Sequence, residues 1–376
     1  MNLLTAQYCS VVPKEVVEHY GKDFRNHPVG TGPFKFKYWK EDEVLVLLKN
    51  ENYFEKDSSG NRMPFLDAVK VTFINDKQSA FMNFLKKDLD FFYSVDGSYR
   101  DDILTKSGQM TSKYKGEFQL IKGAYLCTEY VGILVDPDKD IVKNSPLRFK
   151  KVRQAINYAI DRKKLIKYLR NSIGTPATSG FIPKGMPGFD STKVKGYDYN
   201  PALAAKLLAE AGFANGKGMP EIKLSTSTTY KDLIEFIQGE LGNIGIRAKV
   251  DVSPSASLRD LMSKNEVGFF RGSWIADYPD GENYLSVFYS KNKVPFGPNY
   301  TGYFNKEFDK LFEQSYYEND QKKRFELYHK MDNMVLENAS VVPILYDQSV
   351  VMLQNNISGY VINPLSLMIL KGVKKK

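Results

Sequence analysis

The stretch VGFFRGSWIADYPDGENYLSVFY, residues 267–289, begins as an apolar strand and becomes polar near the carboxyl end of that strand. The polar end carries, in order, Arg271, Ser273, Trp274, Asp277 and Tyr278, and a Pro-Asp-Gly turn follows. In an open α/β sheet, ligands bind outside the carboxyl ends of the strands. A guanidinium, an indole and a carboxylate at this place fit the floor of a pocket, and they also fit an ordinary strand end with solvated charges.

The segments that precede this stretch alternate between strand and helix patterns. The predicted elements are a strand at 222–225, a helix at 230–241, a strand at 248–252, a helix at 258–264 and a strand at 267–274. This β-α-β-α-β order predicts a largely parallel sheet with right-handed crossovers, and hence an α/β fold. Amphipathic helices are predicted after the stretch, at 306–316 and 321–338.

The chain is long enough for more than one hydrophobic core, since it has 376 residues. Its first part is rich in strand patterns, a single helix is predicted at 148–169, and strand patterns return after residue 340. We therefore predict a partial lobe I at 1–135, an α/β lobe II at 136–342 and a return to lobe I at 343–376. Two lobes joined by two chain crossings are the architecture of a hinge-closing binding protein.

The composition argues against a nucleic-acid-binding protein. The formal net charge is +9, from 53 basic and 44 acidic residues. The basic residues are spread along the chain with acidic residues between them, which is typical of solvated surfaces. The aromatic content, 24 Tyr and 24 Phe, fits packed cores and sheets, and it also fits a broad binding cleft.

No motif of catalysis or metal binding is recognisable in the sequence. Cys9 and Cys127 lack metal-ligand spacing; they could form a disulfide in an oxidising compartment or remain buried thiols. The three histidines lie far apart, and there is neither a Gly-rich phosphate loop nor a nucleophile elbow. We therefore predict a protein without enzymatic activity, bound metal or cofactor.

The amino-terminal segment MNLLTAQYC superficially suggests a lipoprotein signal with Cys9 as the acylated residue. It lacks a basic region and a long apolar core, and Tyr8 is too bulky beside a cleavage site. No run in the chain approaches the roughly 20 apolar residues of a membrane span. We therefore expect any export signal to lie outside this chain.

Several segments together resemble the signature motifs of one protein family. They are, in chain order, VGTGPF at 29–34, KNENYF at 49–54, VRQAINYAIDR at 152–162, YNP at 199–201, LLAEAGF at 207–213 and WIADYPDGENY at 274–284. On these motifs the chain is identified as a member of the extracellular solute-binding proteins of family 5, which serve dipeptide, oligopeptide and nickel ABC importers. The resemblance extends over essentially the whole chain.

The resemblance implies a two-lobed, periplasmic-binding-protein-like fold of type II, cluster C, with lobe II inserted into a discontinuous lobe I. Members of the family carry further residues upstream of the region that this chain matches. Lobe I is therefore expected to be incomplete at its amino terminus, with an exposed sheet edge.

The resemblance also implies roles for residues of the opening stretch. In peptide-binding members, the Asp of the Trp-x-x-Asp-Tyr motif pairs with the α-amino group of the ligand, and Asp277 occupies that position. The position of Trp274 lines a side-chain pocket, and the position of Arg271 can meet a ligand carboxylate. Tyr278 and Tyr130 complete the predicted ligand-binding set. A regular strand would point Arg271 and Trp274 to opposite faces, so both reach one ligand only with a bulge or at a strand end.

The expected function is that of a non-catalytic substrate-binding component of an ABC importer, which captures peptides between two lobes through their termini and backbone. The expected partners are a peptide ligand and an ABC permease in the membrane. The chain itself is expected to be monomeric, and periplasmic or membrane-anchored outside the cytoplasm. Open alternatives are a binder of an oligosaccharide or another non-peptide solute, a peptide-sensing module without transport, and a hydrolase that uses Asp277 with Asp280 or Glu282.

Overall fold

The computed structural model describes residues 2–93 and 95–376. The strands are β1 (Phe34–Lys40), β2 (Val44–Lys49), β3 (Ala68–Thr72), β4 (Phe91–Tyr93), β5 (Gln119–Ile133), β6 (Thr175–Pro176), β7 (Ile222–Ser227), β8 (Ala248–Ser253), β9 (Phe269–Ile275), β10 (Val341–Leu353), β11 (Ile357–Ser358) and β12 (Lys374–Lys375). The α-helices are α1 (Lys14–Tyr20), α2 (Lys77–Leu85), α3 (Arg100–Ile103), α4 (Asp140–Lys143), α5 (Lys150–Ala159), α6 (Arg162–Leu169), α7 (Pro201–Glu210), α8 (Lys231–Gly242), α9 (Ser255–Ser263), α10 (Glu282–Leu285), α11 (Lys306–Tyr317) and α12 (Gln321–Asn338).

The predicted β-α-β-α-β alternation is confirmed by β7, α8, β8, α9 and β9. β7 pairs in parallel with β8 over its whole length and in parallel with β9 at Ser225 and Phe270. The helices between these strands bury Ile234, Ile237 and Leu258. Parallel neighbours joined through helices are the arrangement that the strand and helix patterns predict.

The single helix predicted at 148–169 is wrong, because the structure divides this segment into α5 and α6. Ile160 is extended, with φ −95° and ψ 115°, and the Asp161 side chain accepts a hydrogen bond from the backbone N–H of Lys164. Asp161 therefore caps a new helix. Apolar spacing continues across the break, since Ile160 and Leu165 are both buried, and this continuity explains the prediction of one helix.

The chain forms two compact units: unit 1, which comprises Met1–Tyr125 and Ser349–Lys376, and unit 2, which comprises Leu126–Gln348. The chain passes from one unit to the other within β5 and again within β10. The boundaries predicted after residues 135 and 342 separate lobes that are expected to close about a hinge. These boundaries stay a prediction.

In unit 1, β1, β2 and β3 form an antiparallel sheet that leaves large apolar side chains exposed. The register places Trp39 and Val71 on either side of Leu45, and Trp39 and Val71 are 37% and 36% exposed. A buried aromatic cluster lies elsewhere in the unit, where Phe81 stacks on Tyr99 with ring centroids 4.5 Å apart. Unit 1 thus combines a packed aromatic core with a three-stranded sheet whose apolar side chains are only partly buried.

In unit 2, a mixed sheet has the order β10, β5, β9, β7, β8 and is covered on both faces. One face carries Val131, Phe269 and Leu224, which belong to an aliphatic core shared with α5, α6, α7 and α8. Aromatic side chains dominate a second buried group, in which Phe181 packs edge-on against Tyr284 and Phe288. Because both faces are covered, the strand ends are where this sheet can present polar groups to a ligand.

No described helix combines the length and the apolar character that crossing a membrane requires.

Candidate functional site

The carboxyl ends of the parallel strands form one edge of the unit 2 sheet. β5 runs antiparallel to β9, with Cys127 opposite Ile275 and Ile133 opposite Phe269. The first unit 2 residues of β5 therefore lie at the same edge as the end of β9. All five predicted ligand-binding residues belong to β5, β9 or the turn that follows β9.

Asp277 lies in the turn after β9, where its side chain is exposed. Asn283, which is buried in α10, holds this turn with both ends of its side-chain amide. Its Oδ1 accepts hydrogen bonds from the Trp274 indole N–H at 3.0 Å and from the Asp277 backbone N–H at 3.2 Å. Its Nδ2 donates to Asp277 Oδ2 at 3.2 Å, while Asp277 Oδ1 accepts no hydrogen bond from the described residues. The turn thus presents an oriented, exposed carboxylate, which is a suitable partner for an ammonium group.

The backbone on both sides of Trp274 is anchored to the start of the unit 2 segment of β5. The hydroxyl of the fully buried Tyr284 donates to the Leu126 carbonyl at 2.6 Å and lies 3.3 Å from the Trp274 carbonyl oxygen. The backbone N–H of Ala276 donates to the same Leu126 carbonyl at 3.0 Å. Buried, satisfied hydrogen bonds of this kind rigidify a segment, so the position of the Asp277 carboxylate is set by packing beneath it.

Asp280, the second carboxylate of the turn, is buried and serves the structure of unit 2. It accepts hydrogen bonds from Arg324 Nη2 at 3.0 Å, from the Tyr328 hydroxyl at 2.7 Å and from the Glu282 backbone N–H at 3.1 Å. These bonds tie the turn to α12. Asp280 is therefore committed to internal partners and is not an exposed acid beside Asp277.

Tyr278 donates a hydrogen bond to Glu282, the third carboxylate, and Tyr316 donates to the same group at 3.2 Å. Burial raises the pKa of Glu282, although both tyrosine hydroxyls oppose the shift. Burial, followed by the contact with Glu282, also raises the pKa of Tyr278. A hydrolase of the predicted kind would need Asp280 or Glu282 as an exposed partner for Asp277. Neither of these two carboxylates is exposed in this turn.

Tyr130 lies beneath the edge rather than on its surface, since it is only 5% exposed. It is opposite Gly272 in the register, and a Cβ at Gly272 would lie 2.6 Å from the Tyr130 ring carbon Cζ. The ring therefore occupies the space that the glycine leaves, and it packs edge-on against Phe181. Burial raises the pKa of its phenol. A ligand-binding role for Tyr130 stays a prediction.

Arg271 and Trp274 lie on opposite faces of the sheet. β9 pairs with β5 without a register shift from Phe269 to Ile275, so side chains alternate regularly along it. Arg271 shares its face with Glu129, with which it forms an ion pair, and the two side chains are 11% and 6% exposed. No bulge brings Arg271 to the Trp274 face, and its predicted contact with a ligand carboxylate stays a prediction.

A second ion pair lies close to the first, between Arg170 after α6 and Asp347 in β10. The ring of Tyr230 covers the Arg271 guanidinium, with Cζ 3.1 Å from the ring centroid. Burial raises the pKa of the Glu129 carboxyl; Arg271 opposes this shift, Asp347 adds to it and Arg170 opposes it. The cluster balances two guanidinium groups with two carboxylates.

Asn283 and Glu129 are the residues that sequence reasoning missed. Asn283 stands within the WIADYPDGENY motif, but nothing in the spacing shows that its amide bonds Trp274 and Asp277. Glu129 lies in the apolar strand segment YLCTEYVGILV, and a lone acid at an otherwise buried strand position is the signal that could have found it.

The described residues contain no group of three or more His, Cys, Asp or Glu side chains that could hold a metal ion. Cys9 and the buried Cys127 are both free thiols.

An apolar hollow of about 280 Å³ lies in unit 1, and the segment 359–372 provides most of its lining. Lys371 is the charged residue of the lining, and it forms an ion pair with Glu55. The hollow offers no uncompensated charge with which to anchor an amine or a carboxylate, so the edge of the unit 2 sheet is the better candidate site.

Comparison with known proteins agrees with this architecture. The model of the family described as "Bacterial extracellular solute-binding proteins, family 5 Middle" matches residues 1–296. The glutathione-binding protein GsiB of Salmonella typhi is 25% identical over 370 residues, which cover 97% of this chain and 68% of that protein.

Two solved structures illustrate the likeness of the fold. The periplasmic binding protein DppA of Helicobacter pylori, in complex with the peptide STSA, has a TM-score of 0.80 and 24% identity, over 98% of this chain and 69% of that chain. AgaA of A. tumefaciens, in complex with agropinic acid, has a TM-score of 0.78 and 24% identity, over 100% of this chain and 73% of that chain. These neighbours confirm the predicted α/β, periplasmic-binding-protein-like fold class. The match of the family model over most of the sequence confirms the motif-based identification, and the chain belongs to the bacterial extracellular solute-binding proteins of family 5.

Proposed function

We propose that this chain is the non-catalytic, substrate-binding component of an ABC importer, and that it captures peptides by pairing Asp277 with their α-amino group. The observation that carries the proposal is the exposed Asp277 carboxylate, oriented by Asn283 and left with one oxygen that no described residue occupies. An ammonium group that donates to this oxygen forms a charge-assisted hydrogen bond, which is directional and stronger than a neutral one. The partly exposed Trp274 indole beside it offers an apolar surface for the first side chains of the ligand.

The relatives support a peptide ligand and a role in transport. GsiB is named for binding glutathione, and the DppA structure is described as ABC-transporter-associated and contains a tetrapeptide. By this proposal the chain works outside the cytoplasmic membrane and delivers its ligand to an ABC permease. Recognition through an amino terminus and a backbone is independent of most side chains, so the proposal includes a broad peptide specificity.

The test is calorimetric titration of the protein with a panel of two- to five-residue peptides and glutathione, each with a free and an N-acetylated amino group. We expect the free amines to bind and the acetylated forms to bind at least about tenfold more weakly, because a hydrogen bond to a charged group contributes about 1.5–3 kcal/mol. Asp277→Asn should reduce the affinity for free amines by a similar factor. The matched control is Asp138→Asn, which changes an exposed acid elsewhere in unit 2 and should leave the affinity unchanged.

The same titrations separate the competing functions. Equal binding of free and acetylated peptides would refute the role of Asp277 while leaving a peptide ligand in place. Binding of neutral oligosaccharides, unaffected by Asp277→Asn, would support the non-peptide alternative. The complex of AgaA with agropinic acid shows that a ligand other than a peptide occurs on this fold. Loss of peptide uptake when the gene is deleted would distinguish transport from peptide sensing.

A further inference from the structure

The Arg271–Glu129 pair lies on β9 and β5, the two strands whose ends carry the residues of the proposed site. Arg271 is opposite Val131 and Glu129 is opposite Ser273, so the two side chains are diagonal neighbours on one face of the sheet. A guanidinium in this part of an α/β sheet would ordinarily be a suitable partner for a carboxylate, which it can bind through two parallel hydrogen bonds. Here a carboxylate of the protein already occupies that role.

The charge of Arg271 is compensated within unit 2. Glu129 is 4% exposed as a residue, and its side chain meets the Arg271 guanidinium directly. The adjacent Arg170–Asp347 pair is also internally balanced. A ligand carboxylate approaching Arg271 would meet the negative charge of Glu129 at the same time, and like charges at short distance in a buried setting repel strongly.

One donor of Arg271 is nevertheless unused. Its Nε is buried and has no hydrogen-bond partner among the described residues. A buried donor without a partner carries a desolvation cost, which an incoming acceptor would relieve. With the charge of the guanidinium already neutralised, an amide oxygen can accept a hydrogen bond from this donor about as well as a carboxylate oxygen can.

We propose that Glu129 is a specificity-determining residue that withdraws Arg271 from carboxylate recognition, so that this chain accepts peptides with a free carboxyl terminus and peptides with a carboxyl-terminal amide about equally well. The inference rests on the proposed function, because it concerns the other end of the same ligand. By this inference, the protein recognises the charge of the ligand's amino terminus at Asp277. It does not distinguish a charged carboxyl terminus from an amidated one.

The experiment compares trialanine and trialanine amide by titration calorimetry at neutral pH with the wild-type protein and two variants. For the wild type we expect the two dissociation constants to agree within about threefold. Glu129→Gln keeps the size of the side chain but removes its charge, and it should favour the free acid by about tenfold or more, as a charge-assisted bond to the released Arg271 predicts. The double variant with Glu129→Gln and Arg271→Gln is the matched control, and its preference should return to the wild-type ratio.

A wild-type preference of about tenfold or more for the free acid would overturn the inference, and so would a Glu129→Gln variant that folds and keeps the wild-type ratio. If Glu129→Gln does not fold, the wild-type ratio and the double variant decide: a free-acid preference that disappears in the double variant would show that Arg271 does bind carboxylates. Failure of the wild type to bind either peptide would overturn the proposed function as well. Amine-dependent binding with a strong free-acid preference would overturn this inference alone.

Discussion

Asn283 illustrates how one side chain can organise a site without meeting the ligand. Its amide oxygen accepts from both Trp274 and Asp277, and its amide nitrogen donates back to the Asp277 carboxylate. The residue is 4% exposed, so water cannot readily replace these bonds. The direction of the Asp277 carboxylate therefore depends on a residue six positions later in the chain.

We expect Asn283→Ala to weaken both folding and binding. The change leaves the Trp274 N–H and the Asp277 N–H without their acceptor, and an unsatisfied buried group costs about 1–3 kcal/mol in the free energy of unfolding. Peptide affinity should fall because the Asp277 carboxylate loses its support. Urea unfolding and calorimetric titration measure the two effects. Asn243→Ala, at an exposed position after α8, is the control. An unfolding free energy and a dissociation constant equal to those of the wild type would contradict this role.

Asp332 is a buried acid whose protonation depends on the fold of unit 2. It lies in α12 and accepts hydrogen bonds from the backbone N–H groups of Phe181 at 2.8 Å and Ile182 at 3.3 Å. Burial raises its pKa to about 7, and these backbone bonds only partly oppose the shift. The folded protein therefore holds this proton at pH values where the unfolded chain, with a pKa near 3.8, has released it.

The contribution of Asp332 to stability is fully present below about pH 4 and is lost as the pH rises through about 7, by roughly 4 kcal/mol at most. We expect Asp332→Asn to remove this slope, whatever its effect on absolute stability. Urea unfolding at several pH values between about 4 and 8 measures it, with Asp138→Asn as the control. Parallel pH profiles for the wild type and Asp332→Asn would show that the native pKa is not raised.

Among the elements, the α5–α6 pair shows how a capping residue can override a continuous apolar pattern. The stripe of buried side chains continues through Ile156, Ile160 and Leu165, yet the backbone leaves the helix at Ile160. Arg162, at the first position of α6, donates from Nε to the Pro343 carbonyl at 2.6 Å, and this bond ties the start of the second helix to β10. A tertiary contact and a local cap thus coincide at the break.

We expect Asp161→Ala to destabilise the protein by about 0.5–2 kcal/mol, because the substitution removes the side-chain acceptor for the Lys164 N–H. Lys163→Ala in the same helical turn is the control and should change stability by less than about 0.5 kcal/mol. Chemical denaturation of both variants gives the comparison. If Asp161→Ala were no more destabilising than Lys163→Ala, α6 would have to be held by its tertiary contacts alone.

At the scale of the whole molecule, the two units differ in how completely they bury their apolar residues. The unit 2 sheet is covered on both faces, whereas the β1–β2–β3 sheet of unit 1 exposes Tyr38, Trp39, Leu48 and Val71. Trp39 and Val71 lie on one face of this sheet, and Tyr38 and Leu48 lie on the other. Exposed apolar side chains on a sheet favour association with another surface. The net charge of +9 opposes self-association at low ionic strength, and salt screens this repulsion.

We therefore expect the protein to self-associate more as salt and protein concentration rise, and Val71→Lys to reduce this tendency. The added charge lies at an exposed position, on the sheet face that carries Trp39, so the free energy of unfolding should change little. Val252→Lys is the matched control, since Val252 is a strand valine of unit 2 with 40% exposure, close to the 36% of Val71. Sedimentation velocity measures the association. A salt-independent monomer, or equal effects of the two substitutions, would contradict this assignment of the surface.

Much of the fold was predictable because its signals are local. The amphipathic helices predicted at 306–316 and 321–338 and the β-α-β-α-β order each depend on neighbours in the chain, and the structure confirms the corresponding elements. The regular strand that sets Arg271 and Trp274 on opposite faces was also predictable from its period of two. The partners of these residues were not, because Glu129 and Asn283 meet them only after β5 and α10 are packed against β9.

By itself, the sequence determined the family, the α/β class and the position of Asp277 at the end of a strand, since motifs and hydrophobic periodicity are properties of residues close together in the chain. Only the tertiary structure decided which charges remain available for a ligand. The exposed Asp277 keeps one oxygen available because Asn283 bonds only the other, whereas Asp280 and Arg271 are neutralised by Arg324 and Glu129, which lie 44 and 142 residues away along the chain. Charge compensation acts through space, and a free carboxylate can be told from a paired one only when the strands and helices that carry the partners are in place.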